Sequence, residues 1–188
     1  MKSATIDYVY PKYRDKIEKI YEIFGKKYQN YYDDPTLKVC MCHGDYRPNN
    51  IMTRMKNGEE QEIVPVDYQM IHYGSPVFDI IFLMYTSTDR EFRKAHMLDL
   101  KDFYYESLTN FLRHFKIDGN LVYPKEEFEK VFKEKLDYGL MITLFYYTFF
   151  FAAEDEEADM KELKFKLDDR FEERLNGVIE EFVEWGYI

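Results

Sequence analysis

Apolar residues recur at steps of three and four at Tyr13, Ile17, Ile20, Tyr21, Phe24 and Tyr28, which predicts an amphipathic helix over about residues 11 to 31. Asp33, Asp34 and Pro35 end it, because the residue ahead of a proline is pushed out of helical geometry. Leu37 to Cys42 reads as an extended approach to a loop holding His43, Gly44 and Asp45. Beyond that loop, Ile51 to Met55 and Glu62 to Tyr68 bracket Lys56-Asn57-Gly58, the turn chemistry of a hairpin. Pro65 has no N–H to give a ladder and belongs on an edge or at a bulge.

The rest reads as helices. Ser75 ahead of Pro76 predicts an N-cap and a favoured first-turn residue, with Asp79 near the positive end of a helix running to about Tyr85. Thr88 and Glu91 have capping-box spacing and open a helix whose apolar positions run from Phe92 through Leu100, Phe103, Tyr104 and Leu108 to Phe115. Pro124 opens the next, which carries 16 positions without a charge, Tyr138 to Ala153. That run is short for a bilayer, has acidic flanks and contains Gly139, Thr143 and Thr148, so it predicts a buried core helix and no membrane span. The acidic stretch Glu154 to Asp159 reads as a solvated connection. A final helix follows, marked by Met160, Leu163, Leu167, Phe171, Leu175, Val178 and Phe182. The expected fold is a single domain over residues 1–188, α+β and mostly α-helical, with a small β-hairpin.

Composition narrows the function. With 46% hydrophobic residues the chain has too many core formers to be disordered, and a net charge of −10 excludes a general nucleic-acid binder. Cys40 and Cys42 are expected to face apart along an extended segment, where a mutual disulfide is sterically poor; their number suggests a reducing compartment. Met1 to Tyr10 shows no secretory signal, so a cytoplasmic location is expected.

The candidate chemistry lies between residues 43 and 79. His43, Asp45 and Asn50 share a loop, and the hairpin return brings Asp67, at a strand end, back near Asn50. An amide and a carboxylate that converge offer hard oxygen ligands, which suit Mg²⁺ far better than zinc. Asp45 can then orient a hydroxyl and take its proton as it attacks a metal-bound phosphoryl group. Singly, each residue has an ordinary explanation: Asp45 ahead of Pro48 as a turn cap, Asn50 as turn chemistry, Asp67 as a strand-end carboxylate. His72, His96 and His114 show no ligand spacing and read as surface or satisfied core histidines.

In order along the chain, H-G-D-x-x-x-x-N at residues 43–50 and V-D-Y-Q at 66–69 resemble the catalytic and metal motifs of the aminoglycoside and choline kinase superfamily. H-Y-G-S-P-V-F-D-I at 72–80 makes the likeness closer to the ecdysteroid kinase-like proteins, also called the CHK kinase-like family, and the resemblance reads from about residue 10 to the C-terminus. It implies the C-terminal lobe of a protein-kinase-like fold, ATP as phosphoryl donor with Mg²⁺, and a small alcohol, steroid-like or choline-like, as acceptor. By resemblance Asp45 is the catalytic aspartate, Asn50 and Asp67 are the magnesium ligands, His43 organises the catalytic loop and Asp79 braces it. Gln69, where protein kinases carry glycine, fits the small-molecule branch. Arg47 either meets a phosphate or bridges to an acidic neighbour, and the bridge is the favoured reading. The helical aromatic residues are mainly core, some of them lining an acceptor pocket.

Kinases of this superfamily hold ATP between two lobes, the N-terminal one supplying a phosphate loop and a strand-borne lysine. The 44 residues ahead of Asp45 resemble neither. The expectation is therefore a C-terminal lobe with the nucleotide-binding lobe absent, weak Mg-ATP binding, little activity alone, and self-association through the exposed lobe face. A non-catalytic binding or regulatory module of pseudokinase type is the alternative, and a metal-dependent hydrolase using His43, Asp45 and Asp67 a weaker third.

Overall fold

Two helices almost without charge occupy the middle of the molecule, and amphipathic helices pack around them. The computed structural model describes residues 4–27, 31, 33–152 and 166–188. In chain order its elements are α1 (Arg14–Lys27), β1 (Cys40–Cys42), β2 (Ile51–Lys56), β3 (Glu59–Pro65), β4 (His72–Gly74), α2 (Val77–Ser87), α3 (Arg90–Arg113), α4 (Gly119–Val122), α5 (Lys125–Glu134), α6 (Asp137–Phe150) and α7 (Phe171–Glu184). The architecture is α+β and mostly α-helical. Its strands form two antiparallel pairs, β1 with β4 and β2 with β3.

The central pair is α2 and α6. Val77, Phe78, Ile81, Met84 and Tyr85 are buried on α2, and Leu140, Met141, Ile142, Leu144 and Tyr147 on α6. Most of the uncharged run is therefore core, with Phe149 exposed near its end, and among the described residues no helix is long and apolar enough to cross a membrane. The two helices meet where Gly139 faces the Tyr85 ring; a Cβ there would lie 2.2 Å from a ring carbon. Gly139→Ala is expected to destabilise the fold by about 1–3 kcal/mol through overpacking, read as a lower urea midpoint. α6 packs on α7, which Tyr85 of α2 meets through Phe182 (ring centroids 5.7 Å), and the buried Glu181 carboxylate of α7 accepts from Arg93 Nε (2.8 Å) and Nη2 (2.6 Å) of α3. The N-terminal residues are tied in as well. Thr5 donates to Leu144 O (2.8 Å), and the Asn176 side chain of α7 accepts from Tyr10 N and donates to Tyr8 O.

Several boundaries differ from the sequence expectation. The first helix opens with a 3-10 turn at Pro11–Tyr13, and residues 28–30, including Tyr28, lie outside the described residues. Ser75 makes no capping bond, and α2 starts behind Pro76 instead. The capping box at Thr88 and Glu91 does not form: Asp89 is the N-cap, accepting from Phe92 N (2.7 Å), while the Thr88 hydroxyl turns back to Met84 O as the end of α2. The helix expected to run on from Pro124 is two helices. Lys135 leaves α5 to meet Asp34 (2.8 Å), and Asp137 opens α6 in its first turn while pairing with Lys27. The Lys135 and Thr36 bonds hold the Asp34 carboxyl down at about 2. The last helix begins at Phe171; Glu154–Asp159, Met160 and Leu163 fall outside the described residues.

Cys40 and Cys42 are both free thiols, but the expectation that they face apart fails. Side chains alternate along a strand, so residues two apart share a face. Cys40 and Cys42 accordingly sit with their sulfurs 3.9 Å apart. Their contact and burial push the Cys42 thiol up, and the same contact draws the Cys40 thiol down.

Candidate active site

The loop from β1 to β2 is fixed first by its backbone. Pairing of Cys40, Met41 and Cys42 with Gly74, Tyr73 and His72 places the start of the loop beside the start of α2. Asp79, in the first turn of α2, reaches across and accepts from two successive loop amides, His43 N to Oδ2 at 2.7 Å and Gly44 N to Oδ1 at 3.0 Å. Gly44 is required here twice over. Its φ is +82°, and a Cβ would stand 2.3 Å from Met70 O.

Side chains complete the loop. His43 is buried, with Nε2 at 2.9 Å from Val66 O, while Nδ1 accepts from Asp45 N at 3.4 Å; these partners assign the ring proton to Nε2. Tyr68 and Tyr46 flank the imidazole, with centroids 4.7 and 5.6 Å away. The Asp45 carboxylate is gripped from two sides, by Arg47 Nε on Oδ1 (3.0 Å) and by Asn50 Nδ2 on Oδ2 (2.8 Å). Asn50 Nδ2 also donates to Asp45 O (2.9 Å). The amide is thereby oriented through its nitrogen, and its Oδ1 accepts no hydrogen bond from the described residues.

The hairpin then returns the chain. Asn57 and Gly58, with φ of 55° and 81°, make the left-handed two-residue turn that matches strand twist. Pro65 pairs with Ile51 at the open edge of the ribbon, and one residue on Val66 N donates to Asn50 O at 2.9 Å. Asp67 follows immediately. It lies two residues past the end of β3 rather than at the strand end, in a left-handed conformation (φ 66°, ψ 63°) that starts the 3-10 turn Tyr68–Met70. Gln69 Nε2 is 3.4 Å from Asp67 Oδ2.

Among the described residues no three His, Cys, Asp or Glu side chains gather into a metal-binding group. Besides the Asp45 and Asp79 carboxylates, whose oxygens are engaged in holding the loop, the hard oxygens there are those of the Asn50 amide and the Asp67 carboxylate. That donor set fits Mg²⁺, which is commonly held by one or two carboxylates together with substrate phosphates, and does not fit zinc.

Two cavities flank the loop. One, of about 500 Å³, is mainly apolar and lies between His43, Tyr46 and Tyr68 on one side and Ile80, Leu83, Phe103 and Tyr104 on the other. The second, of about 590 Å³, is lined by Arg47, Pro48 and Asn49 from the loop, Thr86 and Ser87 from α2, Phe150 to Ala152, and Asp168, Arg170 and Arg174. Sequence reasoning missed Arg170 and Arg174. The only signal was their i,i+4 spacing, which puts them on one face at the start of α7.

The family model described as the ecdysteroid kinase-like family matches residues 3–117, more than half of the chain. The match takes in the whole loop, the hairpin, α2 and α3. It begins earlier than the likeness read from the sequence and stops well short of the C-terminus, so α5, α6 and α7 lie beyond it. No curated protein and no solved structure matches the chain.

Proposed function

The chain belongs to the ecdysteroid kinase-like family, and from that premise we propose that it transfers the γ-phosphoryl group of ATP to a hydroxyl of a small alcohol, steroid-like or choline-like, in the cytoplasm. The observation that carries this reading is the grip on Asp45. A carboxylate with both oxygens held by Arg47 and Asn50, in a loop whose amides are anchored on Asp79, is preorganised as a proton acceptor. In the proposed reaction Asp45 takes the proton of the acceptor hydroxyl as that oxygen bonds to phosphorus and the bond to the departing ADP breaks. Asn50 and Asp67 are the residues to hold Mg²⁺, which when bound neutralises charge on the phosphate oxygens. Arg47 acts through Asp45 as a positioning residue. His43 ties the loop to Val66, and Gln69 steadies the Asp67 carboxylate.

We read the chain as one lobe of two. Met41 and Tyr73, paired across β1 and β4 ahead of the loop, are 67 and 75% exposed, apolar groups suited to contact with a lobe that covers the nucleotide. The test is ATP-dependent phosphorylation of a panel of alcohols, detected by mass, for residues 1–188 and for a form joined to a nucleotide-binding lobe. Transfer only by the joined form supports the two-lobe reading. Nucleotide binding without transfer in both forms leaves a binding module, and phosphate release from esters without ATP points to a hydrolase.

Asp67 supplies a sharper check. A non-glycine residue held left-handed stores strain of about 1 kcal/mol, and such strain collects where function requires it. Asp67→Gly is expected to leave stability unchanged or raise it by up to about 1 kcal/mol in urea unfolding. The same variant is expected to lose Mg²⁺-dependent transfer. A variant that is less stable yet fully active would remove Asp67 from the site.

A further inference from the structure

The protein carries a net charge of −10, yet the 590 Å³ cavity beside the catalytic loop is walled by three arginines against one acid. Asp168 is already matched, since Arg170 Nε and Nη2 each donate to it at 2.8 Å. The other two guanidinium groups each meet one acid that does not line the cavity, and each keeps donors unused. Arg47 uses Nε on Asp45 and rests on the Phe150 ring, 5.0 Å from its centroid, while its Nη groups make no hydrogen bond among the described residues. Arg174 makes no side-chain hydrogen bond among them either; the acid it meets is Asp89 on the far side, at 3.9 Å. Planar guanidinium forks with unused donors, partly shielded from water in a concave site, are the usual receptors for carboxylates, sulfates and phosphate esters. Ser87 adds a hydroxyl, whereas the Thr86 hydroxyl already donates to Phe82 O (2.8 Å), and Phe150 and Phe151 give the cavity an aromatic wall.

Arg47 joins this cavity to the chemistry, because the same side chain that lines it also holds Asp45. We propose that the cavity binds an anionic group carried by the acceptor alcohol, which narrows the acceptor to an acidic alcohol and rules out a cationic, choline-like one, with Arg174 and Arg47 as its partners and Phe150 against its apolar body. The word acceptor rests on the kinase reading, whereas the anion site stands without it.

The probes are para-(hydroxymethyl)benzoate and its methyl ester, which share a primary alcohol and differ by one charge. In the first arm each is titrated against residues 1–188 without nucleotide, at constant ionic strength, by NMR. The acid is expected to bind about 10- to 100-fold more tightly than the ester, and Arg174→Gln to abolish that preference while Arg174→Lys keeps part of it. Equal affinity for acid and ester, or a preference that survives Arg174→Gln, overturns the proposal. In the second arm the phosphorylating form is assayed with both alcohols. The ratio of their kcat/KM values is expected to fall about 10-fold or more in Arg174→Gln, with KM for ATP unchanged. If KM for ATP rises instead and the acid loses no advantage, the cavity serves the donor's phosphates and the proposal is overturned. If the first arm holds but neither alcohol is phosphorylated by a form that phosphorylates other alcohols, the anion site is retained and its assignment to the acceptor is overturned.

Discussion

In the form of the protein that carries transfer, Asp45→Asn lowers the rate of alcohol phosphorylation by about 10²–10⁴-fold, the contribution of a positioned general base. Asparagine keeps the shape of the side chain and leaves an oxygen for Arg47 or Asn50, so the folding free energy should fall by only about 1–3 kcal/mol, the loss of one charge-assisted bond. The two readouts separate chemistry from structure. Steady-state rates at saturating Mg-ATP report the first, and urea denaturation the second. A variant that transfers undiminished removes the assignment of Asp45, whatever the loop looks like.

The second large effect is on stability. Asp79→Ala takes away the carboxylate that accepts from the His43 and Gly44 amides, leaving two partly buried N–H groups without that partner. Hydrogen bonds to a charged group are worth about 1.5–3 kcal/mol each, so a combined loss of about 3–5 kcal/mol is expected. Asp79→Asn keeps one acceptor and should lose about half as much. Amide hydrogen exchange at His43 and Gly44 localises the damage, since both should lose protection in the alanine variant beyond the global shift. A loss below about 1 kcal/mol with unchanged exchange would show that the loop is held by other contacts. Transfer should fall as well, because Asp45 lies one residue beyond the anchored pair.

Much of the loop could be read from the chain because its contacts are local. Asp45 and Asn50 are five residues apart and bond directly, and the hairpin that returns Asp67 announces itself through Asn57-Gly58. What escaped was set by long-range contacts. β1 lies within the extended approach read at Leu37 to Cys42, but its partner β4 is three residues long, too short for periodicity to show, and their pairing could not be read. The break between α5 and α6 follows from Asp34–Lys135 and Lys27–Asp137, pairs more than a hundred residues apart along the chain. Thr88 and Asp89 are adjacent candidates for the same cap, and local sequence does not say which turns inward. The arginine-lined cavity combines the loop, α2 and α7, a meeting that no window of sequence contains.

The exposed ribbon of β2 and β3 has a mechanical consequence. Asn50 stands immediately ahead of one strand and Asp67 two residues behind the other, so the ribbon joins these two residues as a clip joins its jaws. The clip is closed at its root, where Ile51 faces Pro65 and Val66 bonds Asn50, and its far end projects into solvent. Jaw separation is therefore governed at the root. Lengthening or shortening the projecting end by whole residue pairs leaves the jaws in place, whereas slipping the root by one residue moves both at once.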